Sequence, residues 1–148
     1  ALAGTHNLRH LYLERNRLTS DTDLAAFSKL SFLKSLSIRN NRVSDLSSLA
    51  GLEKMLWLEL DNNQVYDLSP LTGMKELKKL YMENNRVKIL EPLLELTRLE
   101  IVQGKGNPAS SGETLKLVKA LPKCKIKIGS FNKVPTRRNR NPTPPKKK

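Results

Sequence analysis

Apolar residues recur along this chain at a spacing that is neither helical nor simply alternating. In Leu77–Val87, LKKLYMENNRV, the residues Leu77, Leu80 and Met82 are apolar, Asn85 follows and Val87 closes the unit. Twenty-two residues earlier, MLWLELDNNQV places Met55, Leu58, Leu60, Asn63 and Val65 at the same offsets. Another 22 residues back, LKSLSIRNNRV does so with Leu33, Leu36, Ile38, Asn41 and Val43. Self-similarity at a fixed period of roughly 20–50 residues marks a chain built from stacked units.

A first copy starts at Leu8 with Leu11, Leu13, Asn16 and Leu18, and runs 25 residues. Its extra length falls around SDTDLAAFSKL, where Ser20, Asp21 or Asp23 would cap a short helix with Leu24, Phe27 and Leu30 facing inward. Later copies add apolar residues at intervals of three: Leu46, Leu49, Leu52; Leu68, Leu71, Met74; Leu90, Leu93, Leu96. That interval suits one or two turns of 3₁₀ or α helix, kept short by Pro70 and Pro92. The Leu-x-Leu alternation predicts strands with one buried face near Leu11–Leu13, Leu36–Ile38, Leu58–Leu60 and Leu80–Met82. A fifth copy from Leu99 degrades: Val102 holds, Gly104 replaces the third apolar residue and Asn107-Pro108 follows. Its strand is expected at Val102–Gly104. Leu115, Val118 and Leu121 are spaced as one face of a longer helix, and Leu121, Cys124 and Ile126 predict a sixth, terminal strand at Cys124–Ile126.

The asparagine of each copy (Asn16, Asn41, Asn63, Asn85 and Asn107) suits hydrogen bonding to backbone where the chain turns out of its strand. Stacked, these predict a ladder that satisfies buried polar groups. No unit can bury its leucines alone. The expected product is an α/β repeat solenoid, curved, with a concave parallel β-sheet and short 3₁₀ or α turns on the convex side. It should occupy residues 1–131, comprising a truncated N-terminal repeat, five repeats and the terminal strand. Ala1–Asn7 matches the last third of a repeat, so the sequence opens in mid-repeat, as a piece of a longer protein would or one whose N-terminal edge docks on something. Residues 132–148, NKVPTRRNRNPTPPKKK, hold four prolines and no apolar period, and are expected to form a basic tail, disordered or ordered by a partner.

Charge sharpens this division. The formal net charge is +13, yet all 14 acidic residues lie between Glu14 and Glu113, and the 15 basic residues of positions 1–113 nearly cancel them. From Thr114 onward there are 12 Lys or Arg and no acid. Lys123, Lys125, Lys127, Arg137, Arg138, Arg140, Lys146, Lys147 and Lys148 are therefore candidates for binding a polyanionic surface, either RNA or an acidic protein such as a tubulin-like one. The single cysteine, Cys124, excludes an intramolecular disulfide, favours a reducing compartment and occupies an apolar offset. No apolar run approaches the ~20 residues of a membrane span, and no membrane partner is expected.

Strand residues flanking the buried leucines should face outward on the concave side. These positions carry Trp57, Tyr12 and Tyr81, ringed by Arg39, Glu59, Asp61 and Glu83, with Lys79, Lys105, Lys123, Lys125 and Lys127 towards the C-terminal edge. Aromatics ringed by charge are the pattern of a protein-binding hot spot, against the simpler reading that they pack on neighbouring strand residues. No catalytic constellation is evident. His6 and His10 have no partners at metal-ligand spacing, Gly104-Lys105-Gly106 is a weak phosphate-loop match, and no catalytic residue, metal or other cofactor is expected.

The unit Leu-x-x-Leu-x-Leu-x-x-Asn-x-Leu/Val resembles the leucine-rich repeat. Its 22-residue period is similar to the class found in regulatory subunits of protein phosphatase, axonemal dynein light chain and the spliceosomal A-prime protein. Asn107-Pro108, the following helix and Leu121-Pro122 resemble the C-terminal cap of those proteins, without its usual Tyr and closing Leu-Asp. Val65–Met74, VYDLSPLTGM, also resembles bacterial internalins. The resemblance implies a fold that presents a surface rather than an enzyme. The expected function is a non-enzymatic protein-binding scaffold, a subunit of a larger cytoplasmic assembly of cytoskeletal or ciliary kind. The alternative is a structural component of a ribonucleoprotein, with the tail on RNA and a nuclear location.

Overall fold

In the computed structural model of the chain, which describes residues 7–19, 24–129 and 131–133, each copy of the repeat supplies one strand. The strands are β1 (His10–Tyr12), β2 (Ser35–Ser37), β3 (Trp57–Glu59), β4 (Lys79–Tyr81), β5 (Ile101–Gly104), β6 (Lys125–Ile128) and β7 (Phe131–Lys133). They pair in sequence order, parallel from β1 to β6. Leu11, Leu36, Leu58, Leu80, Val102 and Ile126 fall in one register line across the sheet. A curved, open solenoid results, as the period predicts.

The first four strands begin one residue earlier than the alternation suggests. The difference concerns strand edges and not register, because backbone bonds such as Ile38 N to Glu59 O and Leu60 N to Tyr81 O continue the ladder beyond them. Two differences at the C-terminal end are larger. The terminal strand lies at Lys125–Ile128 rather than Cys124–Ile126, and Val102 faces Ile126, 24 residues on. Helix α1 (Ser111–Ala120) makes this return crossing, and its low rise per residue consumes more chain than the 3₁₀ turns of the other repeats. Beyond Gly129, whose φ of +60° suits glycine, β7 pairs antiparallel with β6. A strand thus straddles the expected 131/132 boundary.

Elsewhere the convex side carries 3₁₀ turns at Ala25–Lys29, Ser47–Leu49, Ser69–Leu71 and Glu91–Leu93, each anchored by one inward residue, Phe27, Leu49, Leu71 or Leu93. The expected caps Ser20, Asp21 and Asp23 lie outside the described residues. Asp45 and Asp67 start the second and third turns, their Oδ1 atoms accepting the backbone N–H of Ser47 and Ser69, both at 2.8 Å. Of the expected face Leu115, Val118 and Leu121, Leu121 at the end of α1 is buried and Val118 partly so, but Leu115 is 48% exposed, and Thr114 and Leu117 face inward instead. A true α-helix repeats its inward positions every three to four residues, and polar Thr114 is accommodated there because its hydroxyl donates to Ser110 O. Among the described residues no helix is long and apolar enough to cross a membrane.

The asparagine ladder forms as expected from Asn41 to Asn107. Asn85 Nδ2 donates to Leu60 O and Met82 O, and its Oδ1 accepts Val65 N–H at 2.9 Å. Asn63 and Asn107 repeat this pattern one coil to either side. Asn16 is exposed, and among the described residues its side chain bonds within its own turn, to Leu13 O and Glu14 O. A second ladder lies outside the first. Asn62 Nδ2 donates to Asn40 Oδ1 at 2.8 Å, and Asn84 Nδ2 to Asn62 Oδ1 at 2.7 Å. All three asparagines adopt positive φ, with Gly106 at the next corresponding position. Asparagine tolerates this left-handed backbone better than most residues, and the side chains then align along the solenoid axis.

Candidate interaction surface

Within each strand, alternation buries the central leucine and turns its two neighbours to the concave face. One row of neighbours runs His10, Ser35, Trp57, Lys79, Ile101, Lys125; the next runs Tyr12, Ser37, Glu59, Tyr81, Gln103, Lys127. The corrected register places Lys125, not Lys123, beside Ile101. Lys123 sits in the turn before β6, exposed and outside the strand rows.

Trp57 and Tyr81 are diagonal neighbours on β3 and β4, with ring centroids 6.2 Å apart and planes tilted by 43°. That is the range of a favourable aromatic pair. The Lys79 ammonium sits 4.9 Å from the centre of the Trp57 ring, a cation–π contact. Trp57 remains 39% exposed, and Tyr81 is half-buried. The rings pack on each other, as the simpler reading has it, and still leave apolar surface exposed.

The charged residues beside them are held in place. Arg39 Nε is 3.2 Å from Asp61 Oδ2, and its Nη1 is 3.8 Å from Glu59 Oε2, which also accepts the Ser37 hydroxyl at 2.9 Å. Asp61 accepts the Glu83 backbone N–H at 2.7 Å. Only 7% of Asp61 is exposed, so it is a buried strut rather than the solvated contact residue its position in the sequence suggests. Burial raises its carboxyl above the ordinary aspartate value, outweighing the Glu83 N–H and the Arg39 charge. Burial also raises the Tyr81 phenol, with Glu59 and Asp61 adding to the effect.

Arg39, Trp57, Glu59, Asp61, Tyr81 and Glu83 are thus brought together on β2–β4 and the turns that follow. Tyr12 is exposed but lies two strands from Trp57. Lys125 and Lys127 are exposed on β6, while Arg137, Arg138, Arg140 and Lys146–Lys148 lie outside the described residues. Ser35 and Ser37 hold outward strand positions on this face and are nonetheless buried, the Ser37 hydroxyl donating to Glu59 Oε2. His10 is exposed, His6 lies outside the described residues, and Cys124 is buried. Among the described residues no group of His, Cys, Asp and Glu could hold a metal ion.

Residues 6–65 match the family described as Leucine rich repeat. The strand order, the asparagine ladder and the convex turns extend the same architecture through residue 128. This is a leucine-rich-repeat fold. Among solved structures, a leucine-rich-repeat protein of Leptospira interrogans is similar at 27% identity and a TM-score of 0.74, over 84% of this chain and 31% of that one. Internalin C2 of Listeria monocytogenes is 29% identical with a TM-score of 0.69, over 81% and 60% of the two chains. Internalin InlF of the same organism is 24% identical with a TM-score of 0.70, over 82% and 41%. The chain therefore spans between about a third and three fifths of those structures. No curated protein matches it.

Proposed function

We propose that this leucine-rich-repeat chain is a non-enzymatic protein-binding scaffold within a larger intracellular assembly. Its concave face forms the interface, and its basic C-terminal segment contacts an acidic surface. Proteins of this fold generally serve as binding scaffolds, because stacked coils create a long concave surface. The observation that carries the reading here is the Trp57–Tyr81 pair, partly exposed at the centre of the sheet and bordered by ordered charge. Aromatic anchors surrounded by polar groups dominate the energetics of protein interfaces.

The test is capture of a partner by the intact protein, compared with Trp57→Ala and Tyr81→Ala. Each substitution should weaken capture by about 2 kcal/mol, roughly thirtyfold, with little change in melting temperature. A loss of stability with capture unchanged would assign the rings to packing. Removing residues 134–148, which spares β7, should weaken the association in a salt-dependent way. Abolition of capture by nuclease would favour the ribonucleoprotein reading.

A further inference from the structure

Charge on the concave face is segregated by strand. Arg39, Glu59 and Asp61 are linked to one another around the aromatic pair on β2–β4. Lys105 in the turn after β5 and Lys125 and Lys127 on β6 follow, exposed and without an ion pair to any described carboxylate. Lys79, stacked on Trp57, joins the two regions. Like-charged lysines gathered on one face repel one another unless an anion lies between them.

Resting on the concave-face reading above, we infer that the partner engages as an extended acidic peptide. One apolar or aromatic side chain packs on Trp57 and Tyr81, and carboxylates further along it pair with Lys105, Lys125 and Lys127. Strands lie about 4.8 Å apart, so the three steps from β3 to β6 span about 14 Å, and an extended peptide covers that in about four to five residues. A nucleic acid fits this face less well. Its backbone carries phosphate at every nucleotide, and a strand crossing from the lysines to the aromatics would bring phosphates up to Glu59 and Glu83. A peptide can place acid over the lysines alone.

The test is an array of synthetic twelve-residue peptides, each with one Trp and one Glu-Glu pair at separations from one to eight residues, in both chain directions. Binding of the intact protein should peak at separations of four to five. The triple variant Lys105→Glu, Lys125→Glu, Lys127→Glu should lose at least tenfold in affinity for the best peptides while keeping its melting temperature. Trp57→Ala should lose affinity for every peptide of the array, whatever the separation. No peptide binding, or affinity that ignores the position of the acidic pair, overturns the inference. So does a triple variant that binds as the parent does; if Trp57→Ala still weakens binding in that case, the scaffold reading survives alone. A single-stranded RNA 20-mer that binds more tightly than any peptide and is lost in the triple variant would reassign the lysines to nucleic acid.

Discussion

Glu113 Oε2 accepts the backbone N–H of Leu90 at 3.0 Å, joining helix α1 to the start of the fourth convex turn. In the second and third repeats Asp45 and Asp67 start that turn from within their own coil; Ile89 stands at the corresponding position in the fourth and cannot. The helix supplies an acceptor of its own, to the N–H one position earlier in the turn than the one Asp45 and Asp67 hold. Its carboxylate is ordered from the other side by Lys116, and the Glu113 N–H is capped by Ser110 Oγ at 3.2 Å.

Lys116, followed by the Leu90 N–H, holds the Glu113 carboxyl below its ordinary value near 4.5. An acid whose folded value is lowered stabilises the fold above its unfolded value, and that contribution is lost as pH falls through the folded one. Glu113→Ala should therefore cost about 1 kcal/mol at neutral pH. Urea midpoints should converge with those of the parent as pH drops below the glutamate range. A gap independent of pH would contradict this role.

Asp61 should behave in the opposite sense. Its folded value lies above the ordinary 3.8, so stability falls as pH rises from there through the raised value. Asp61→Asn keeps an oxygen for the Glu83 N–H and removes the buried charge. Its stability relative to the parent should rise across that window, read as the difference in urea midpoints between acid and neutral pH. Parallel curves would show that burial of the charge is not felt.

Two members of the asparagine series, Asn85 within the buried ladder and Asn16 outside it, separate structure from exposure. Asn85→Ala leaves Val65 N–H, Leu60 O and Met82 O without their side-chain partner, and should cost about 2–3 kcal/mol. Asn16→Ala, at an exposed position, should cost less than about 0.5 kcal/mol. Chemical denaturation of the two variants side by side decides the matter.

Gly106 tests the outer ladder. Its φ is +79°, and a Cβ there would lie 2.3 Å from Asn84 Oδ1. Gly106→Ala should destabilise by about 1–2 kcal/mol, and adding Asn84→Ala should recover part of that loss. Failure of the second substitution to rescue would place the strain in the backbone alone.

The period was legible because every coil repeats the same burial problem, and Leu36, Leu58 and Leu80 solve it identically. The inner asparagine ladder followed from the same spacing. The outer one is harder to read, because Asn40, Asn62 and Asn84 look like polar filler beside their buried neighbours. The recurring Asn-Asn doublet was the signal. Register was lost where the repeat changes its return crossing: a longer helix moved Ile126, instead of the expected Cys124, opposite Val102. The concave patch was readable as a set of positions, but not in its energetics. Depth within the patch depends on neighbouring strands, so Asp61 proved buried and Trp57 exposed although sequence gives both outward positions.

The sequential strand order also has a mechanical meaning. Each parallel strand bonds to the coils immediately before and after it, so tension along the solenoid axis loads the coils in series. The coil peeled first from the N-terminal end frees 25 residues, about 85 Å of contour length, while the coils behind it keep their own contacts. Such a molecule yields in steps, as an extensible tether rather than a brittle plate.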